Sequence, residues 1–122
     1  MLSITAAPAA EIAYHAHAAH HDETAFQYWL QAGDNALDSF VVADALDYYE
    51  KAHRISASIT IGNPDLVRLF EQRIKALELA RNYADALKVS REMLTIANKR
   101  NSATMECAAT LAQAVLFIAE QT

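Results

Sequence analysis

Trp29-Leu30-Gln31-Ala32-Gly33 and, ten residues on, Ala43-Asp44-Ala45-Leu46-Asp47-Tyr48-Tyr49-Glu50-Lys51-Ala52 set small residues among aromatic ones at helical spacing. That arrangement suits two antiparallel helices packed closely side by side. With Gly33 facing Ala45, the missing side-chain volume lets the helix axes approach, while Trp29 and Tyr49 fill the space on either side. The stretch is a packing signature and carries no reaction centre.

Working outward, the composition agrees with helix everywhere. Of 122 residues, 53% are hydrophobic and only two are Gly and two Pro, which leaves few places for hairpin turns. The expected fold class is all-α, with about six helices in a single domain over 1–122. One cysteine, Cys107, excludes an internal disulfide and fits a reducing compartment. The N-terminus, Met1-Leu2-Ser3-Ile4, has no basic residue ahead of apolar ones, so it lacks the pattern of a secretory signal. There is no run of about 18 apolar residues free of charge. These features predict a cytoplasmic chain with no membrane partner.

Charge is uneven. Residues 1–50 hold eight acids and no Lys or Arg, whereas residues 51–122 carry a net +3, for −5 overall. An acidic first half repels phosphate backbones, and the later bases alternate with acids as on ordinary solvated helix faces, so no nucleic-acid partner is expected.

Along the chain, Pro8 suits the first turn of a helix to about His20, with a small-residue stripe of Ala9, Ile12, Ala13, Ala16 and Ala19. Asp22 is the expected cap of a helix over 22–39 whose apolar positions are Phe26, Trp29, Leu30, Gly33, Leu37 and Phe40. A partner helix over 42–55 uses Val42, Ala45, Leu46, Tyr49, Ala52 and Ile55. The β-branched run Ile59-Thr60-Ile61 then breaks the pattern, and Asn63-Pro64-Asp65 restarts it with a cap, a proline and an acid. This is the strongest boundary in the sequence. Helices over 64–80 (Val67, Phe70, Ile74, Leu77) and 83–97 follow, and Ser102, or Asn101, caps a last helix over 102–120. Tyr83-Ala84-Asp85-Ala86-Leu87 repeats Val42-Ala43-Asp44-Ala45-Leu46 with a period of 41 residues.

The pattern Trp29, Gly33, Ala45, Tyr49, Ala52 resembles the tetratricopeptide repeat. It departs from that family at Ala32, Ala36 and Ala57, where leucine, tyrosine and proline are expected, and the period exceeds the family's usual one by about two helical turns. The resemblance implies antiparallel helix-turn-helix repeats in an α-solenoid: a first repeat over 22–55, a second over 64–97, and a third beginning with 102–120. It also implies a groove lined by the first helix of each repeat, here Gln27, Leu30, Asp34 and Leu37, then Arg68, Glu71, Lys75 and Glu78. Lysine and asparagine grip acidic chaperone tails in some members of that family; Leu30, Asp34, Glu71 and Lys75 stand at those places, so a basic or amphipathic partner is expected instead.

A second resemblance rests on Ala10-Glu11-Ile12-Ala13-Tyr14-His15-Ala16, Ala32-Gly33-Asp34-Asn35-Ala36-Leu37, Ala76-Leu77-Glu78-Leu79-Ala80-Arg81-Asn82-Tyr83 and Met93-Leu94-Thr95-Ile96-Ala97. These are similar to the helical repeats downstream of the nucleotide-binding domain in large bacterial signalling ATPases and transcriptional regulators. The implied role is a sensor or scaffold segment whose ATPase lies elsewhere. No glycine-rich phosphate loop is present, so no nucleotide site is carried over and no cofactor is expected.

His15, His17, His20 and His21 form the one cluster suited to chemistry, and His17 with His21 is an i, i+4 pair able to reach one metal. No recognised motif places further ligands, so no metal site is expected and the histidines read as a polar helix end. Asp44 with Asp47 and Glu71 with Glu78 read as surface charge, and no nucleophile stands beside a base in a known motif, so no enzyme is expected. Two functions remain: a protein or peptide interaction and scaffold module, or a self-associating helical domain. The second would pair copies through Leu111, Val115, Leu116, Phe117 and Ile118 of the apolar last helix.

Overall fold

The computed structural model describes residues 6–121, with side chains from Pro8 onward. The readings of Met1 to Ile4 and of Thr122 lie outside the described residues. Among the described residues there are six helices and no strand: α1 (Ala6–Ala18), α2 (Asp22–Asp38), α3 (Val42–Ser56), α4 (Asn63–Leu79), α5 (Tyr83–Arg100) and α6 (Ala103–Gln121). They fall into two compact units that meet in sequence at Ile61 and Gly62, within the boundary marked by the Ile59-Thr60-Ile61 run. The first unit is α1 to α3 and the second is α4 to α6.

In the first unit α2 packs on both α1 and α3. Its buried face is Ala25, Phe26, Trp29, Leu30, Ala32, Gly33, Ala36 and Leu37, met from α3 by Ala45, Tyr49, Ala52 and Ile55. Among the described side chains of α1, Ala9 and Ala13 are buried; Ile12, expected in the inner stripe, faces outward. Small side chains on α1 supply little apolar area, so the unit's burial depends on the large residues of α2 and α3. Phe40, read as the last apolar position of α2, is instead a turn residue and 78% exposed.

The glycine of the opening stretch has one neighbour above all. A Cβ placed on Gly33 would fall 2.6 Å from Tyr49 Cδ1 and closer still to Cε1. The nearest atoms over Gly33 therefore belong to the Tyr49 ring, where Ala45 was expected. Tyr49 is fully buried, and its hydroxyl donates to Asp34 Oδ1 at 2.6 Å. One aromatic ring thus lies across the gap left by Gly33 and is tethered at its far end by the next residue of the same helix.

In the second unit α5 packs on α4 and α6, and α4 also touches α6. The core joins Leu66, Leu69, Phe70, Ile74, Ala76 and Leu77 of α4, Ala86, Val89, Ser90, Met93 and Ala97 of α5, and Met105, Ala109 and Leu116 of α6. Buried Ser90 donates its hydroxyl to the Leu87 carbonyl at 2.7 Å, which satisfies it without a tertiary partner.

Four of the five connections use the same turn. His20, Phe40, Arg81 and Asn101 each adopt a left-handed backbone, with φ between 53° and 63°. The amide of the next residue returns to the carbonyl five before it: His21 to Ala16 at 2.8 Å, Val41 to Ala36 at 2.9 Å, Asn82 to Leu77 at 2.9 Å and Ser102 to Ala97 at 3.0 Å. This Schellman closure satisfies the orphan carbonyls of one helix and turns the chain straight into the next. The pair His20 and Phe40 recurs as Arg81 and Asn101, each 61 positions on. Neither glycine has a positive φ.

Helix starts differ from the expected caps in two places. Asp22 lies inside the first turn of α2, behind His21 at the cap position, and Asn63 likewise follows Gly62. Each still has a role. Asp22 favours the positive helix end and meets His17, and Asn63 Oδ1 accepts from Arg100 Nη1 at 2.9 Å, joining the start of α4 to the end of α5. Asn82 and Ser102 do cap, accepting from the amides of Asp85 and Met105, each at 3.2 Å.

Two stability predictions follow from these geometries. Gly33→Ala gains about 1 kcal/mol of helix propensity but drives a methyl into a buried, tethered ring, at a cost of about 1–3 kcal/mol. The variant is expected to be the less stable protein in urea denaturation, and a midpoint at or above wild type would refute the packing. Phe40→Gly relieves a left-handed cost of about 1–2 kcal/mol for a residue with a side chain, less about 0.4–1 kcal/mol of added unfolded-state entropy. It should raise stability by about 0.5–1 kcal/mol, whereas Phe40→Val should lower it. A reversed order in thermal melts would exclude the turn geometry.

Candidate functional site

The residues expected to line a partner groove lie four in each unit. In the first unit Leu30 is fully buried and Leu37 nearly so, which removes both from any binding surface. The 3.6-residue period that marks them as apolar does not say which neighbour covers them, and α2 is flanked on two sides, by α1 as well as α3. Asp34 is held by Tyr49, and Gln27 stands on the exposed face of α2. These four residues therefore form no groove with an apolar floor.

The second unit differs. Three of its four expected residues, Glu71, Lys75 and Glu78, border a groove of about 210 Å³ between α4 and α6. Ile74 of α4 and Ala108, Leu111, Ala112, Val115 and Leu116 of α6 complete it. Arg68, a turn earlier on α4, is half-buried and does not line it. The groove has an apolar floor and, on its α4 rim, two carboxylates with one ammonium between them.

The α6 wall continues into an exposed apolar stripe. Leu111, Val115 and Ile118 are 63%, 47% and 64% exposed and follow i, i+4, i+7 spacing, so they share one side of the helix. Phe117, 62% exposed, stands apart from that stripe. Leu116, placed in the self-association set by its neighbours in sequence, is 1% exposed and belongs to the core of its own unit. The single preceding helix is not its only cover, because α4 reaches α6 as well.

With 19 residues and a mean hydropathy of 1.2, α6 is by length and composition long and apolar enough to cross a membrane. Its charge-free part runs from Cys107 to Ala119, about 20 Å of helix at ~1.5 Å per residue, against a hydrocarbon core of about 30 Å. The opposite side of the helix is committed to Met105, Ala109 and Leu116 packing.

The histidines do not converge. His17 Nδ1 lies 3.0 Å from Asp22 Oδ1, the ring of His15 sits edge-on to Tyr14, and His20 and His21 border a separate polar cavity with Asp22, Glu23 and Thr24. Among the described residues no three His, Cys, Asp or Glu side chains are grouped as metal ligands. Asp47 pairs with Lys51 along α3 at 2.6 Å, and Asp44 is exposed. Cys107 is exposed on α6.

Compared with protein-family models, with curated proteins and with solved structures, the chain matches none.

Proposed function

We propose that the chain is a non-catalytic protein interaction and scaffold module that receives a basic, amphipathic helix of a partner in the α4–α6 groove. The observation that carries this reading is the exposed Leu111, Val115 and Ile118 stripe beside the groove rim of Glu71 and Glu78. Contiguous exposed apolar surface rimmed by charge is characteristic of protein docking sites, and an amphipathic helix laid in such a groove buries its own apolar stripe there. Helix pairs joined by tight turns, α2 with α3 and α4 with α5, support the tetratricopeptide-like part of the reading. The resemblance to bacterial regulators makes the module a piece or relative of a larger cytoplasmic regulatory protein.

Charge decides between a foreign partner and a second copy. The only charged residues of α6 are Glu106 and Glu120, near its two ends, and it has no base. A second α6 would bring no base to Glu71 and Glu78 on the groove rim, whereas a helix with Lys or Arg flanking an apolar stripe complements them. Self-association through α6 is therefore the second reading, favoured by the uncharged span between the two acids.

A fluorescently labelled basic amphipathic peptide titrated into the chain is expected to bind more tightly than an acidic peptide of equal length, with affinity falling as salt rises. Val115→Glu should weaken it about tenfold or more, on the order of 1.4 kcal/mol, with helicity unchanged. Tighter binding of the acidic peptide would refute the reading. A stable wild-type dimer in light scattering, made monomeric by Val115→Glu, would assign the stripe to self-association.

A further inference from the structure

The first unit holds a second feature, independent of the α6 surface. A pocket of about 310 Å³ opens beside Trp29, with Ile55 and Tyr14 completing its apolar lining. Trp29 is almost wholly buried, stacked on Tyr48 with ring centroids 5.7 Å apart, and Lys51 Nζ lies 5.4 Å from its ring centroid. Lys51, Arg54, His17 and Ser58 supply the polar part of the lining.

The charge of this lining is opposite to that of its surroundings. Up to Ile61 the sequence contains eight acids and only two bases, and those two bases are Lys51 and Arg54. Both line the pocket, and no carboxylate does. Their acidic partners, Asp47 for Lys51 and Glu50 for Arg54, sit one turn back along α3 and outside the lining. Those i, i+4 pairs are solvent-exposed, so each contributes little and can share its cation with a ligand. Small-molecule sites have this make-up: an apolar concavity of roughly 300–1,000 Å³ with a few placed polar groups.

We propose that this pocket binds a small anion with an apolar body, of the arylcarboxylate class. The ring meets Trp29, Ile55 and Tyr14, and the carboxylate accepts from Lys51 and Arg54 at the mouth. A cationic ligand of the same shape would meet two like charges there, so discrimination by charge is the signature of the site.

Trp29 is the only tryptophan of the 122 residues, so its emission and its indole N–H resonance report on the pocket in the intact chain. Phenylacetate, 2-phenylethanol and phenethylamine, alike in ring and differing in charge, are each titrated. Phenylacetate is expected to give a saturable change in emission and a saturable shift of the indole N–H, with phenethylamine at least about tenfold weaker. Lys51→Gln with Arg54→Gln should reduce phenylacetate affinity about tenfold or more and remove its advantage over the neutral alcohol. Lys88→Gln, in the other unit, should change nothing. Equal responses to the three compounds, no saturable response to phenylacetate, or full affinity in the double variant would each overturn the assignment.

Discussion

The first unit depends on one side chain lying where another is missing. Tyr49 places its ring over Gly33 and its hydroxyl on Asp34, so a single residue of α3 fixes both the separation and the relative position of α2. The contact is apolar along the ring and polar at its tip, which is how a buried tyrosine avoids leaving an unsatisfied hydroxyl. Trp29, one turn before Gly33, stacks on Tyr48, the residue before Tyr49. The small and aromatic residues of the two helices therefore interlock over two successive turns, and the pocket beside Trp29 opens at the edge of that same contact.

Much of the fold was legible because helical periodicity and turn punctuation are local. Six helices, the break near Ile61 and the buried positions Phe26, Trp29, Tyr49, Phe70 and Ile74 follow from spacing alone. The turns were harder to read. Left-handed positions are usually announced by glycine, yet here they fall on His20, Phe40, Arg81 and Asn101, while Gly33 sits mid-helix for packing. A phenylalanine at such a position has the spacing of the end of an apolar stripe, although Phe40 lies in the turn beyond α2.

The functional surfaces were less legible, for a geometric reason. Periodicity identifies an apolar face but not how many neighbours share it. Leu30 and Leu37 belong to a helix clasped by two others, and Leu116 points inward while Val115 and Phe117, on either side of it, point out. The pocket beside Trp29 needs α1, α3 and the residue Ser58 after it brought together, a conjunction no single motif carries. Its one sequence trace is that both bases of an otherwise acidic half lie three apart on α3.

The position of that lone indole also bears on how the molecule comes apart. Trp29 lies within the first compact unit, so its emission reports the melting of α1 to α3, whereas far-ultraviolet ellipticity sums over all six helices. Superposable transitions from the two signals mark all-or-none unfolding of the whole chain; displaced ones mark two separate cooperative units, each with its own free energy. The sequence thus carries its own gauge of cooperativity, without any label introduced.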